Sequence, residues 1–481
     1  MRFSFAMRLA LLRWFAAWVV FLVLVGGGGL DLHGETNVPT QGGAKAGETM
    51  AESRLNWRME TIVGAYRQAG HTNSAWDDAA IQALTAWAHR PEDGSESKEI
   101  LNLIISKNCR AATAAGCDDP LIRYLSLLYA GEKGLSREER VAAFCKMAQE
   151  MDASSYLAVR KFHAWYWAAK EIHDLYGSGA KVPKDLKELQ TWDNAFSRLE
   201  TSLVSEKLPP AEAYTACYFM LTLYGKDKVR YPRVYEKLEK NFPKGPEYEA
   251  MDLLLKGHAY SDMAWQAKGN SRTNGASNEG GQLFEERLKT AAGALTRAWE
   301  LDPNEPRIAM AMMRVEFGQH EGRPRMELWF RRAMALDPNC YDACVAKLKY
   351  LDPKWGGSSR AMLEFGRECV TNKNWGGNVP LTLFEAHRML CDGLTNASMK
   401  SFYWRIPNVW LDVQNSYERY FEVNPTDTKS LTIYSLFAFE TGHWREFNAM
   451  ASKIDPADYE MFGGKEKFDK LVAEAGRHAG K

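Results

Sequence analysis

A helix end recurs in this chain. Ala298-Trp-Glu-Leu-Asp-Pro303-Asn304 returns 35 residues later as Ala333-Met-Ala-Leu-Asp-Pro338-Asn339, and Tyr420-Phe-Glu-Val-Asn-Pro425 repeats the theme. Proline has no N–H to donate and its ring excludes the helical conformation from the residue before it. Each Asp-Pro or Asn-Pro therefore closes one helix and sets the start of the next. A period of about 34 residues with such an ending belongs to stacked helical hairpins. One hairpin cannot bury its own apolar face, so a chain built this way must stack its units.

The residues between these endings agree. Ile308, Ala311, Met312 and Val315 lie at helical spacing within a first helix over 307–317. Met326, Phe330 and Ala333 mark the buried side of a second over 324–336. The next unit runs from Tyr341 through Ala361 and Phe365. After Pro425 come Leu431, Tyr434, Phe437 and Ala438, a turn at Gly442, then Trp444, Phe447 and Met450. The N-terminal half is helical but irregular. Ser74 with Asp77 and Ser136 with Glu139 read as capping boxes. Asp118-Asp119-Pro120 reads as a cap with proline in the first turn. A long aromatic helix spans 155–177, with Phe162, Trp165, Ala169 and Ile172 along one stripe. No segment alternates with period two. The sequence predicts an all-α, tetratricopeptide-like α-solenoid. Its expected divisions are a leader or anchor (1–29), a linker (30–50), an irregular helical region (51–245), repeats (246–454) and a C-terminal capping helix (455–481).

The N-terminus carries a different signal. Arg2, Arg8 and Arg13 precede an apolar run from Phe15 to Val25, and Gly26 to Gly29 follow. This is the layout of a secretory signal peptide. An uncleaved inner-membrane anchor is the alternative, so the chain is expected in the periplasm or outside the cell, touching membrane only through that segment. Lys+Arg and Asp+Glu both total 61. A net charge of zero removes the main electrostatic reason to expect nucleic acid as a partner.

Several local motifs resemble an uncharacterised, exported bacterial domain family with tetratricopeptide-like repeats. They are Ala264-Trp265-Gln-Ala-Lys268-Gly269, Phe284-Glu-Glu-Arg287-Leu, the Leu-Asp-Pro endings, Met326-Glu-Leu-Trp-Phe330 and Pro353-Lys-Trp355-Gly356-Gly357-Ser358. Gly116-Cys117-Asp118-Asp119-Pro120-Leu121 is similar to an upstream element of the same proteins. The likeness is best over 247–370, and Lys268 stands where the family usually has Arg. It implies a fold and an envelope setting; the family has no activity to carry over.

Chemistry-bearing constellations are sparse. Asp77-Asp78, Glu138-Glu139 and Glu285-Glu286 are adjacent on helices and so do not face each other. The histidines are scattered, with His163 and His173 ten apart on the aromatic helix, and no nucleotide, zinc-protease or hydrolase motif is present. No catalytic residue, cofactor or metal is expected. The reading is a non-catalytic binding scaffold with a groove for a peptide or protein partner; the alternative is an envelope glycan-acting enzyme or accessory protein. Candidate contact residues are Trp265, Lys268 and Arg272, beside the polar insert Gly269–Gly281, with Trp355 and Trp375 of two Trp-Gly-Gly turns. Those turns also have a purely local explanation, in which glycine ends a helix and Ser358 or Asn378 caps the next. Cys340 and Cys344 share a helix face as small packing residues. Cys109 and Cys117 are expected in one short loop, where an exported protein could join them by a disulfide, with Cys145 a rival partner. A fusion of residues 1–50 to a reporter active only outside the cytoplasm is expected to give signal; activity confined to a cytoplasm-only reporter would exclude export.

Overall fold

The computed structural model describes residues 50–479, apart from 91–95, 132–134, 178–181, 226, 269–277, 320–321 and 426. The described residues are predominantly helical, with no strand among them. Among them no helix is long and apolar enough to cross a membrane. The apolar run 15–25 and the linker 30–49 lie outside the described residues. The helices fall into two compact units that divide between Asp337 and Pro338, inside the stretch expected to hold the repeats.

The first unit begins with α1, which runs as Met50–Arg58, a π-helical turn Met59–Gly64, and Ala65–Ala69. There follow α2 (Asp77–His89), α3 (Glu96–Ala114), α4 (Pro120–Leu125), α5 (Arg137–Ala153), α6 (Ala158–Tyr176), the short α7 (Lys184–Glu188), α8 (Thr191–Ser205), α9 (Pro210–Thr222) and α10 (Arg230–Asn241). It closes with α11 (Glu249–Lys268), α12 (Asn278–Leu301), α13 (Pro306–Gln319) and α14 (Arg323–Leu336). The second unit holds α15 (Tyr341–Tyr350), α16 (Ser359–Thr371), α17 (Thr382–Asp392), α18 (Ala397–Tyr403), α19 (Pro407–Val423), α20 (Thr428–Thr441), α21 (Trp444–Ala451) and α22 (Lys465–Ala479).

The recurring helix end has one geometry. Asp302, Asp337 and Asn424 each donate a backbone N–H to the carbonyl four residues back. Asp337 and Asn424 then leave the helix (φ −135° and −124°), as the following proline requires. The apolar stripes predicted for α13 and α14 are buried, and so is the stripe of α6. Ser136 and Glu139 form a reciprocal capping box on α5, and the backbone N–H of Ser136 holds the Glu139 carboxyl below its usual range. Ser74 is not a cap: α2 starts one turn later, and Asn73 and Asp77 organise the turn, with the Asn73 N–H donating to Asp77 Oδ1 at 2.9 Å.

Asp119 caps α4 and does more. It is fully buried. Its Oδ1 accepts from the backbone N–H groups of Leu121 and Ile122, and its Oδ2 accepts from the His71 N–H (3.0 Å) and Tyr156 Oη (2.9 Å). One carboxylate thus ties three segments together. Glu206, at the end of α8, caps the start of α6 through the backbone N–H groups of Ala158 and Val159.

Glu212 of α9 is 4% exposed and accepts from Arg54 Nε (2.6 Å) and Arg58 Nε (2.7 Å) of α1. Burial alone would push its carboxyl up; Arg58, Arg54 and Arg160 outweigh burial and hold it well below the usual carboxylate range. Arg160 is itself buried between the rings of Trp57 (5.2 Å) and Trp87 (5.1 Å). A carboxyl held low in the fold contributes stability in full above its unfolded value of about 4.3, and that part is lost as pH falls toward the folded value. Glu212→Gln is expected to cost about 3 kcal/mol at pH 7, because it strands buried cations. Urea unfolding at pH 7 and pH 3 should show the gap between wild type and variant narrowing at the lower pH; equal stability at pH 7 would refute the role.

Candidate ligand-binding cleft

Two helix faces of the first unit enclose a cleft of about 890 Å³. In α8 the spacing separates a buried face (Ala195, Leu199, Ser202, Leu203) from one that presents Trp192, Phe196, Asp193 and Glu200 to the cleft. In α10 Tyr231, Tyr235 and Leu238 are buried. Arg230, Arg233, Val234 and Lys237, at i, i+3, i+4 and i+7, line the cleft. Lys187 and Tyr224 complete the wall.

Both helices are firmly placed. Arg198 of α8 grips Asp152 of α5 with two hydrogen bonds (2.6 and 2.8 Å). Tyr231 Oη donates to Asp262 of α11 at 2.6 Å, and the other oxygen of Asp262 pairs with Arg314 of α13 at 2.6 Å. Asp227 caps α10 by accepting from the N–H groups of Val229 and Arg230. Inside the cleft Lys237 lies over the Phe196 ring at 5.3 Å, and Asn241 Nδ2 donates to Glu200 at 2.8 Å. Burial pushes the Tyr224 hydroxyl up, helped by Asp193.

The rim carries backbone strain. Gln190, between α7 and α8, sits in the left-handed region (φ 46°, ψ 44°) and is exposed. A residue with a side chain pays roughly 1–2 kcal/mol for that conformation, and such residues concentrate where a site needs a particular backbone shape.

Of the residues predicted as contacts, those that are described do not line this cleft. Trp265 is a packing residue, edge-on to Phe284 (5.1 Å) and stacked on Phe317 (5.5 Å), and Lys268 lies over both Trp265 and Phe284. Arg272 lies outside the described residues. Helix α12 starts at Asn278, so the polar insert is shorter than its 269–281 reading. Trp355 and Trp375 belong to the second unit and sit on turns shaped by their glycines. Gly356 and Gly377 have φ of 89° and 53°, which side chains adopt rarely. Trp355 is 39% exposed. Ser358 caps α16 as expected, accepting from the Ala361 N–H at 3.1 Å; Asn378 makes no side-chain cap.

The cysteine expectation needs correction. Helix α3 continues to Ala114, so Cys109 is helical and not in a loop. Cys109 and Cys117 are buried free thiols, and burial pushes them up to about 12 and about 11. Cys340 and Cys344 are buried at the start of α15. His163 packs on Phe219.

One acid–base grouping exists in the second unit. His387 shares hydrogen bonds with Tyr403 Oη (2.8 Å, at Nδ1) and Asp412 (3.1 Å, at Nε2), and Arg367 holds Asp412 through two bonds. Burial pushes the His387 pKa down against the pull of Asp412. His387 is only 1% exposed. The grouping braces α17 against α18 and α19, with its imidazole buried among them. Among the described residues no group of three or more His, Cys, Asp or Glu is arranged to hold a metal.

Comparison of the chain with protein-family models and with curated proteins gives no match. Sequence reasoning missed the cleft, although the Arg230/Arg233/Lys237 stripe is visible as an i, i+3, i+7 pattern. Gln190→Gly is expected to raise stability by about 0.5–1 kcal/mol, since glycine removes the left-handed cost but adds entropy to the unfolded chain. A lower urea midpoint would show instead that the Gln190 side chain is required.

Proposed function

We propose that the chain is a non-catalytic, exported binding protein, built from tetratricopeptide-like hairpins, that holds a peptide or protein partner in the cell envelope. The observation that carries the reading is the α8–α10 cleft, with an aromatic floor of Trp192 and Phe196 beneath rim cations. Aromatic surface supplies large contact area at low entropy cost, and exposed charges steer and register a partner. The helices that carry this surface are braced by side chains, α8 through Arg198 on Asp152 and α10 through Tyr231 on Asp262. An exported setting follows from the N-terminal pattern and the family resemblance, and both support the proposal only as sequence readings.

The glycan-acting alternative finds less support here. Its two carboxylates would have to face each other across a pocket about 5–9.5 Å apart. Asp193 and Glu200 are carried by one helix, two turns apart, which is roughly 10.5 Å along its axis. Glu200 is also engaged by Asn241.

A photo-cross-linking residue at Phe196 is expected to capture a discrete partner in envelope fractions, whereas the same residue at exposed Leu103 on α3 captures none. Identical capture at both positions, or none at either, would overturn the reading.

A further inference from the structure

We infer that the α8–α10 cleft takes an acidic peptide in an extended conformation, with two carboxylates spaced about three residues apart around an apolar or aromatic anchor. The inference rests on the binding reading above and names its partner class.

Lys187, Arg230, Arg233 and Lys237 face the cleft against Asp193 and Glu200, so its lining carries an excess of positive charge in a chain whose net charge is zero. Among the described residues Lys187, Arg233 and Lys237 form no ion pair with a carboxylate. Arg230 has only a loose one, 3.6 Å from Asp227. Arg230, Arg233 and Lys237 lie on the braced α10, and all four keep their charges available to an incoming group.

Spacing comes next. Arg230 and Lys237 are separated by seven residues of helix, roughly 10.5 Å along the axis. A peptide in the polyproline conformation advances about 3.1 Å per residue with three residues per turn, so side chains at i and i+3 point the same way about 9.3 Å apart. Carboxylates at those positions reach the two ends of the α10 stripe. Between the ends, Val234 lines the cleft together with Trp192 and Phe196, an apolar stretch that suits a ring or aliphatic side chain.

Asp193 and Glu200 select against a different ligand. A nucleic acid or anionic polysaccharide carries charge at nearly every unit and calls for a continuous basic groove. Two carboxylates on the opposite wall would repel such a polymer. A peptide with spaced acids avoids them and can offer backbone N–H groups to Asp193.

The test uses the full chain and a fluorescein-labelled hexapeptide, Gly-Glu-Ser-Trp-Glu-Gly, followed by fluorescence anisotropy. The Gln-for-Glu version of the peptide is expected to bind at least tenfold more weakly. The double charge reversal Arg233→Glu/Lys237→Glu, on exposed side chains, should lose at least tenfold for the acidic peptide and gain affinity for a Lys-for-Glu version. Trp192→Ala should weaken every version without changing the preference for acids. Circular dichroism establishes that each variant is folded. Equal binding of the Glu and Gln peptides, with loss in Trp192→Ala, would overturn the acidic class and leave the cleft as a binding site. No binding of any version would remove both. Tighter binding of a single-stranded oligonucleotide, lost in the charge reversal, would replace the peptide by a phosphate polymer and overturn the inference.

Discussion

A carboxylate buried between helices is costly unless several donors reach it, and this condition fixes the packing of the first unit. Asp119 satisfies it with four donors from three segments and Glu212 by two guanidiniums of α1, while the half-buried Glu206 caps the start of α6. Glu316, 1% exposed, takes both Nε and Nη2 of Arg325 on one oxygen. A helix that slid or rotated would strand one of these charges, so each acts as a register pin as well as a contact. The cleft inherits the consequence. Helix α8 is pinned at its end by Glu206 and along its length by Arg198 on Asp152, which leaves one orientation for the face bearing Trp192 and Phe196.

Legibility in the sequence followed the range of the forces involved. The Asp-Pro endings, the Ser136–Glu139 box, the Asp119-Pro120 start and the stripes of α6, α13 and α14 are set by neighbours within a turn or two, and all appear in the structure. Errors came where local signals compete. At Ser74 the competitor is Asn73, one residue earlier, with Asp77 accepting its N–H. At Cys109 the run Ala111-Ala112-Thr113-Ala114 has strong helix propensity overall and carries α3 into the segment expected to be a loop.

The site was illegible for a different reason. Tryptophan is ambiguous in sequence: the ring of Trp265 is spent on Phe284 and Phe317, whereas Trp192 opens to the cleft, and nothing within five residues of either tells them apart. The difference lies in what packs opposite, which is a tertiary fact. Likewise a basic stripe on one helix usually means a solvated face. It acquires meaning only when α8 brings an aromatic floor against it, about 35 residues away in the chain.

The charges on α10 can be weighed against those on α22. There Lys465 pairs with Asp469 and Lys470 with Glu466, each across one helical turn, so the helix gains from its own surface. On the cleft face of α10 the residue one turn after Arg233 is Lys237, a like charge at the spacing where opposite charges support a helix. An acid at 237 would remove that repulsion locally. Keeping it leaves two cations one turn apart on the cleft face, with Lys237 over the Phe196 ring, where negative charge from outside the fold would relieve their repulsion. An anion bound along the stripe would by the same electrostatics stabilise the helix that carries it, the more so the better its charges match the spacing of Arg230, Arg233 and Lys237.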